Sequence, residues 1–399
     1  MQNDRARGVL RREFLAASGA AIAGIGAAGC GDRQVQGSEG RQAETPAKRQ
    51  ARTGQKSSPR MEIAEILALP PSPLWRMVKQ CGVNHAVGRM VFDEEPGGWQ
   101  EGLPPWSYWS LAHVQKIYEE AGFQLAVLES RPPMTKIKLG LPGRDEEIGA
   151  VCELIRNLGA LGIPVWCYEW MPVLGWIRTS TRIPARGGAL TTGFDLAEIR
   201  DAPPTNYGKV TEERLWANLK YFLERVVPVA EKAGVKLAMH PDDPPLSPIR
   251  GLARIMRSVE GYQRLLDLVP SPVNGIALCQ GNFTLMTSDL PGVIRQFGRQ
   301  KKIFFVHFRD VRGTAEKFVE TFHDDGQTDM AACMQAYREI GYEGVCRADH
   351  VPTMEGDSND KPGYSSIGRL FAIGYIKGLR DAVYHETQCI TRAADKVKA

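Results

Sequence analysis

From Met61 onward, short apolar runs alternate with longer amphipathic stretches. The runs fall at 82–87, 124–129, 164–170, 236–240, 275–279, 303–307 and 344–349, each of strand length and bounded by polar or turn-forming residues. Between them, apolar residues recur at helical spacing over 111–121, 146–161, 212–233, 258–268, 290–297 and 330–340. Gly122, Gly162, Gly234 and Gly341 follow four of these stretches, where a helix needs a residue that accepts a left-handed turn. Strands that are apolar on both faces and alternate with helices form a parallel sheet covered on both sides. Seven such units, with an eighth expected near Phe371 to Gly378, predict the α/β class and a closed (β/α)8 barrel. An open doubly wound sheet is the alternative, but no Gly-rich GxGxxG turn follows the first strand.

Four consecutive strands end on a side chain able to bind a metal. Lys236 to His240 is stopped by Pro241-Asp242-Asp243-Pro244-Pro245. The next run closes on Cys279, followed by Gln280-Gly281-Asn282, and the one after it on His307, followed by Phe308-Arg309-Asp310. The last closes on Asp349-His350. Each residue alone has an ordinary structural reading: a bonded histidine, a packed cysteine, a capping aspartate. In a barrel, however, the carboxyl ends of the strands converge over one cavity. Two imidazoles, a thiolate and a carboxylate then form a plausible divalent-metal set. Residues 171 to about 207 form a long Gly/Thr/Pro-rich insertion after the 164–170 run, expected to be a lid or a subunit contact.

Composition adds limits. The 399 residues are 43% hydrophobic and 24% charged, ordinary for a globular chain, and a net charge of +4 without basic-aromatic interleaving does not point to nucleic acid. The eight cysteines form no CxxC pairs, so neither a zinc ribbon nor a disulfide framework is indicated. At the amino terminus, Arg11-Arg12-Glu13-Phe14-Leu15 opens a small-residue apolar run that resembles a twin-arginine export signal. Ala28-Gly29-Cys30 resembles a lipoprotein processing site, although Ala27 stands where leucine is preferred. The expected organisation is an export signal over 1–30, a disordered polar linker over 31–60, the barrel over 61–385 and a tail over 386–399. An exported protein follows, periplasmic or held to the membrane through a lipid at Cys30.

The ordered set of motifs resembles the mannonate dehydratase family. It comprises the His240 to Pro245 stretch, Cys279 to Asn282, His307-Phe308-Arg309, Arg347-Ala348-Asp349-His350 and Pro362-Gly363-Tyr364-Ser365-Ser366-Ile367-Gly368-Arg369. Cys167-Tyr168-Glu169-Trp170 and its continuation to Thr179 belong to the same pattern. The resemblance implies a xylose-isomerase-like TIM barrel that removes water from D-mannonate to give 2-dehydro-3-deoxy-D-gluconate with Mn²⁺ or Fe²⁺. It implies His240, Cys279, His307 and Asp349 as metal ligands and His350 and Tyr364 as the acid–base pair. Arg309, Arg178 and His323 are the expected substrate-binding residues. The chain departs from the family after the first recognised strand, reading Ala86-Val87-Gly88-Arg89 where a His-His pair is usual.

The chemistry agrees with that implication. Dehydrating a 2,3-dihydroxy acid needs one group to take the C2 proton, another to protonate the leaving C3 oxygen, and a positive centre for the developing charge. The expected partner is a small-molecule sugar acid, not a nucleic acid, and a homo-oligomer is expected. A sugar isomerase or epimerase on the same barrel, with Glu129 and Glu169 at strand ends, is one alternative. A non-catalytic exported sugar-acid-binding protein is the other.

Overall fold

The computed structural model describes residues 60–91 and 102–397, with side chains to residue 384. The export signal, the linker and Cys30 lie outside the described residues. Eight parallel strands close into a barrel: β1 (Glu62–Ile66), β2 (His85–Gly88), β3 (Gln124–Leu128), β4 (Val165–Glu169), β7 (Lys236–His240), β8 (Asn274–Cys279), β9 (Ile303–Phe308) and β12 (Val345–Ala348). Around the ring their order is β1-β12-β9-β8-β7-β4-β3-β2. Two further strand pairs, β5 (Ser180–Pro184) with β6 (Leu190–Asp195) and β10 (Val311–Gly313) with β11 (Lys317–Glu320), make a separate antiparallel sheet.

The eighth strand is not near Phe371. That segment belongs to the closing helix Ser366–Val397, which also runs through most of the residues expected to be a tail. Ala372, Ile373 and Ile376 are buried at helical spacing, so one face docks on the barrel. The missing strand is β1, which pairs with β2 (Ala64 opposite His85) and β12 (Glu62 opposite Val345) and so closes the ring. Its two glutamates break the apolar run that marks the other strands.

The helix Glu212–Ala233 shows how the outer layer forms. Thr211 caps it by accepting from the Arg214 N–H, and Gly234 ends it at φ 70°. Leu215, Leu219, Phe222, Val226 and Ala230 fall on one stripe and are buried against the sheet. Burial of each larger side chain among them is worth roughly 1.5–3 kcal/mol. Inside the barrel the apolar filling is mostly small, Ala64, Val87, Val127, Cys167, Ala238 and Ala277, with Phe304 and Phe305 the large members of the cluster. Side chains two positions further along the same strands continue on that inward face. Ala238 therefore leads to His240, Ala277 to Cys279 and Phe305 to His307.

Residues 171–207 supply β5 and β6, and the connection after β9 supplies β10 and β11. Phe194, Val311 and Phe318 give this added sheet its own apolar centre. Both segments leave the barrel at its carboxyl-terminal face, and the sheet brings Arg178 and Glu320 to the site.

Glu65 in β1 is 0% exposed and one of its carboxylate oxygens has no hydrogen-bond partner. Burial pushes its carboxyl up to about 7 from the ordinary 4.5, against the opposing pull of Arg369 and Arg347. Between those values the folded chain keeps a proton that the unfolded chain releases. The neutral form's contribution is therefore complete below the unfolded value and is lost as pH rises through about 7. Glu65→Gln is expected to gain roughly 3 kcal/mol on the wild type between about pH 4.5 and pH 8. Denaturant midpoints of both proteins at the two pH values check it; a constant difference would show that Glu65 does not titrate with folding.

Candidate active site

The four strand-end donors meet. One donor atom from each of His240, Cys279 and His307 lies within 4.8 Å of the others. Asp349 Oδ2 is 3.6 Å from Cys279 Sγ and 3.6 Å from His307 Nδ1. The sheet register explains the meeting, since Cys279 is paired with His307 across β8 and β9, and Phe308 O accepts from the Asp349 N–H beyond β12.

The donor chemistry fits a divalent cation. His240 Nδ1–H donates to the Pro241 carbonyl at 2.8 Å, which fixes the ring and leaves Nε2 as the nitrogen available to the other donors. Burial would raise the Cys279 thiol, but Arg309 and hydrogen bonds from His240 and His307 bring it down to about 6, so a thiolate prevails at neutral pH. The Asp349 carboxyl is held well below the usual range, because Arg347, His350 and His307 outweigh its burial. His307 stands between the two carboxylates, with Nδ1 3.6 Å from Asp349 Oδ2 and the buried Nε2, which makes no hydrogen bond, 3.4 Å from Glu129 Oε2.

A second trio, Glu129, Cys167 and His307, also converges. Its chemistry is poorer. Both Glu129 oxygens accept from Arg347, at 2.9 and 2.8 Å, and burial holds the Cys167 thiol up at about 11. Glu169 is likewise engaged by Lys138, at 2.6 Å, and by Arg131. The two glutamates kept open for an isomerase are thus committed to cations.

Beside the donors sits a hydrogen-bonded chain of three residues. His350 follows Asp349 with φ 33°, a left-handed conformation that turns its imidazole out of register with the ligand. His350 Nδ1–H donates to Glu320 Oε1 at 2.6 Å, so Nε2 faces the Tyr364 hydroxyl at 3.1 Å. Val351 N–H donates to the Gly363 carbonyl at 2.9 Å, which staples the Tyr364 loop to the chain after β12. Gly363 adopts φ 83°, and a Cβ there would lie 3.4 Å from the His350 ring. Burial pushes the Tyr364 hydroxyl up to about 12, so it keeps its proton at neutral pH.

The other three sequence-predicted residues lie differently. Arg309 and Arg178 are buried and face carboxylates. Arg309 Nη1 is 2.7 Å from Asp243 and its Nη2 is 2.8 Å from Glu320, while Arg178 Nη1 is 2.7 Å from Asp243. Two guanidiniums and two carboxylates offset one another, as burial requires. His323 is buried beneath β9, stacked on Phe308, with Nε2–H donating to the Phe308 carbonyl at 2.6 Å. Burial lowers it to about 4, so it is neutral. Among the described residues these three do not line the cavity; they brace the strand end that carries His307. Sequence reasoning missed Glu320, Asp243 and Arg347 as parts of the site, although Asp243 stands in the acidic turn it singled out.

A cavity of 570 Å³ opens over this floor, bordered by Glu129, Cys167, His240, Asp349, His350 and Tyr364 and, toward its rim, by Trp176, Arg89 and Lys361.

The sequence model of the D-mannonate dehydratase (UxuA) family matches residues 74–206 and 202–389. A mannonate dehydratase from Thermotoga neapolitana is 39% identical over 340 residues, covering 76% of this chain and 91% of the relative. One from Enterococcus faecalis is 37% identical over 316 residues, covering 70% and 87%. The crystal structure of mannonate dehydratase from Streptococcus suis serotype 2 superposes with a TM-score of 0.75 at 33% identity, covering 82% of this chain and 95% of that one. An L-ribulose 3-epimerase, at 12% identity and TM-score 0.54, shares the fold alone. With a family match across most of its length and relatives this similar, the chain belongs to the mannonate dehydratase family.

Proposed function

We propose that this protein is a metal-dependent hydro-lyase that removes water from a sugar acid, D-mannonate or a close relative, to give a 2-keto-3-deoxy acid. The observation that carries the reading is the convergence of His240, Cys279, His307 and Asp349 beside the Glu320–His350–Tyr364 chain. The four would hold the cation, Mn²⁺ or Fe²⁺. When bound, it supplies a Lewis acid for the substrate carboxylate and 2-hydroxyl.

The remaining work falls to the chain. His350 Nε2 takes the C2 proton, and Glu320, accepting from Nδ1–H, stabilises the imidazolium that forms. Tyr364 O–H gives its proton to the C3 hydroxyl, which departs as water with the C3–O electron pair. The C2–H pair becomes the C2–C3 double bond, and the enol then moves its hydroxyl proton to C3 through solvent. The proton on His350 returns to Tyr364 across their 3.1 Å hydrogen bond, which resets both residues. The apolar wall of the cavity and Trp176, whose ring lies 4.9 Å from that of His350, limit water around the pair.

Metal-loaded protein incubated with a panel of aldonic acids is expected to form 2-keto-3-deoxy product from at least one of them. Interconversion of keto and aldo forms without loss of water would instead establish an isomerase. Binding without turnover would establish a non-catalytic sugar-acid receptor.

A further inference from the structure

We infer that Trp176 is a substrate-binding residue: its indole packs against the carbon–hydrogen face of the sugar acid's chain, while the four donors and the His350–Tyr364 pair take its polar groups. The inference rests on the dehydratase reading for where the substrate lies.

Topology carries the indole to that place. Trp176 follows β4, which ends at Glu169, yet its ring centroid lies 4.9 Å from that of His350, which follows β12. β4 and β12 stand opposite each other in the ring of strands, so the chain from Glu169 to Arg178 crosses the barrel mouth. On its way it meets the turn after β7, where Ile177 N–H donates to the Asp243 carbonyl at 3.3 Å. The crossing therefore passes on the side of the metal donors, and Trp176 borders the same cavity as His240, Asp349 and His350.

Two buried arginines hold the crossing on either side of the indole. Arg254 Nη2 donates to the carbonyls of Leu174 and Gly175, each at 2.9 Å, and Arg178 pairs with Asp243 and Glu320. Val173 adopts φ 60°, a left-handed conformation that a β-branched residue rarely takes. Strain of this kind persists only where the surroundings impose it, and it gathers at ligand sites. The Trp176 side chain is nonetheless 41% exposed. A large aromatic is thus fixed, half-open, beside the proton-transfer pair, and a ligand that covers it gains by burying apolar surface.

The indole also says which part of the ligand it takes. The Arg178 guanidinium lies 4.8 Å from the ring centroid, attracted by the negative face of the π system. That face likewise favours C–H groups made positive by neighbouring hydroxyls. A hydroxyl turned onto it would lose its hydrogen bonds to water. A sugar acid with its C1 end at the four donors and C2 at His350 Nε2 satisfies this when its C–H groups, not its hydroxyls, face Trp176.

The test titrates full-length, metal-loaded protein with D-mannonate, or with the best aldonate of the panel, following tryptophan emission while calorimetry follows binding. The wild type is expected to show a saturable change in emission, and Trp176→Phe to bind the same acid without it. Binding with no emission change in the wild type, or with the same change in Trp176→Phe, overturns the inference. In Trp176→Ala, kcat/KM should fall by about tenfold or more. KM should rise by more than kcat falls, because the contact is made in the ground state as well as in the transition state. A fall in kcat alone would make the indole a shield against water and reject the contact. Unchanged melting temperature and metal content exclude a folding defect; if Trp176→Ala lowers either, the Trp176→Phe titration decides. Binding without turnover would defeat the dehydratase reading alone, since emission and calorimetry still decide the contact. Turnover with wild-type KM in Trp176→Ala would defeat the contact alone, and absence of binding would defeat both.

Discussion

Cys279→Ser is expected to leave the barrel folded but without a bound divalent cation and without turnover. A serine hydroxyl stays protonated where the Cys279 thiol, brought down to about 6 by Arg309 and two histidines, is largely ionised. The substitution therefore removes a charged, soft donor from a set of two imidazoles and one carboxylate, and a neutral hydroxyl is a far poorer ligand for Mn²⁺, Fe²⁺ or Zn²⁺. Arg309, 3.6 Å from Sγ, keeps Asp243 and Glu320 as partners, so no buried cation is stranded and the fold should tolerate the change. Disturbing an outer partner of a metal ligand costs roughly 10–100-fold in affinity, and losing a ligand itself should cost more. Metal per chain by elemental analysis, with turnover on the best aldonate of the wild type, checks this. Wild-type metal content and affinity would remove Cys279 from the donor set.

The donors were legible because each ends an apolar run at a polar residue. Strand alternation puts that residue on the inward face, and the barrel brings the ends together. Its partners were not legible. Glu320 lies 30 residues before His350 in the chain, on a short strand of a sheet whose other half comes from residues 180–195. The long insertion after β4 announced itself by composition, but nothing in it showed that it would pair with the segment after β9. Arg347 meets Glu129 across 218 residues, a contact that only barrel closure creates. Arg309 and Arg178 were expected to face substrate because a strand-end arginine near a metal set suggests a carboxylate. The carboxylates they face are the chain's own Asp243 and Glu320. The first strand was missed for a related reason: Glu65 interrupts its apolar pattern and is buried all the same.

His350→Asn should retain the cation and lose turnover. Asp349 still supplies the carboxylate, and asparagine is among the residues that best tolerate the φ of 33° at this position. Its amide can also donate to Glu320, so the buried carboxylate is not left bare. What it cannot do is accept the C2 proton. General acid–base groups contribute about 10²–10⁴-fold in rate, so kcat and kcat/KM should fall together by that range with substrate affinity largely kept. Tyr364→Phe removes only the hydroxyl, leaving the ring against His350 and Arg369. A fall of the same order would make the two residues partners in proton transfer. Wild-type rates in Tyr364→Phe with a dead His350→Asn would reduce Tyr364 to a wall of the cavity and hand the leaving oxygen's proton to another donor. Full activity in His350→Asn would defeat the assigned chemistry even with the barrel and the metal in place, because Nε2 of His350 is the atom on which both proton transfers turn.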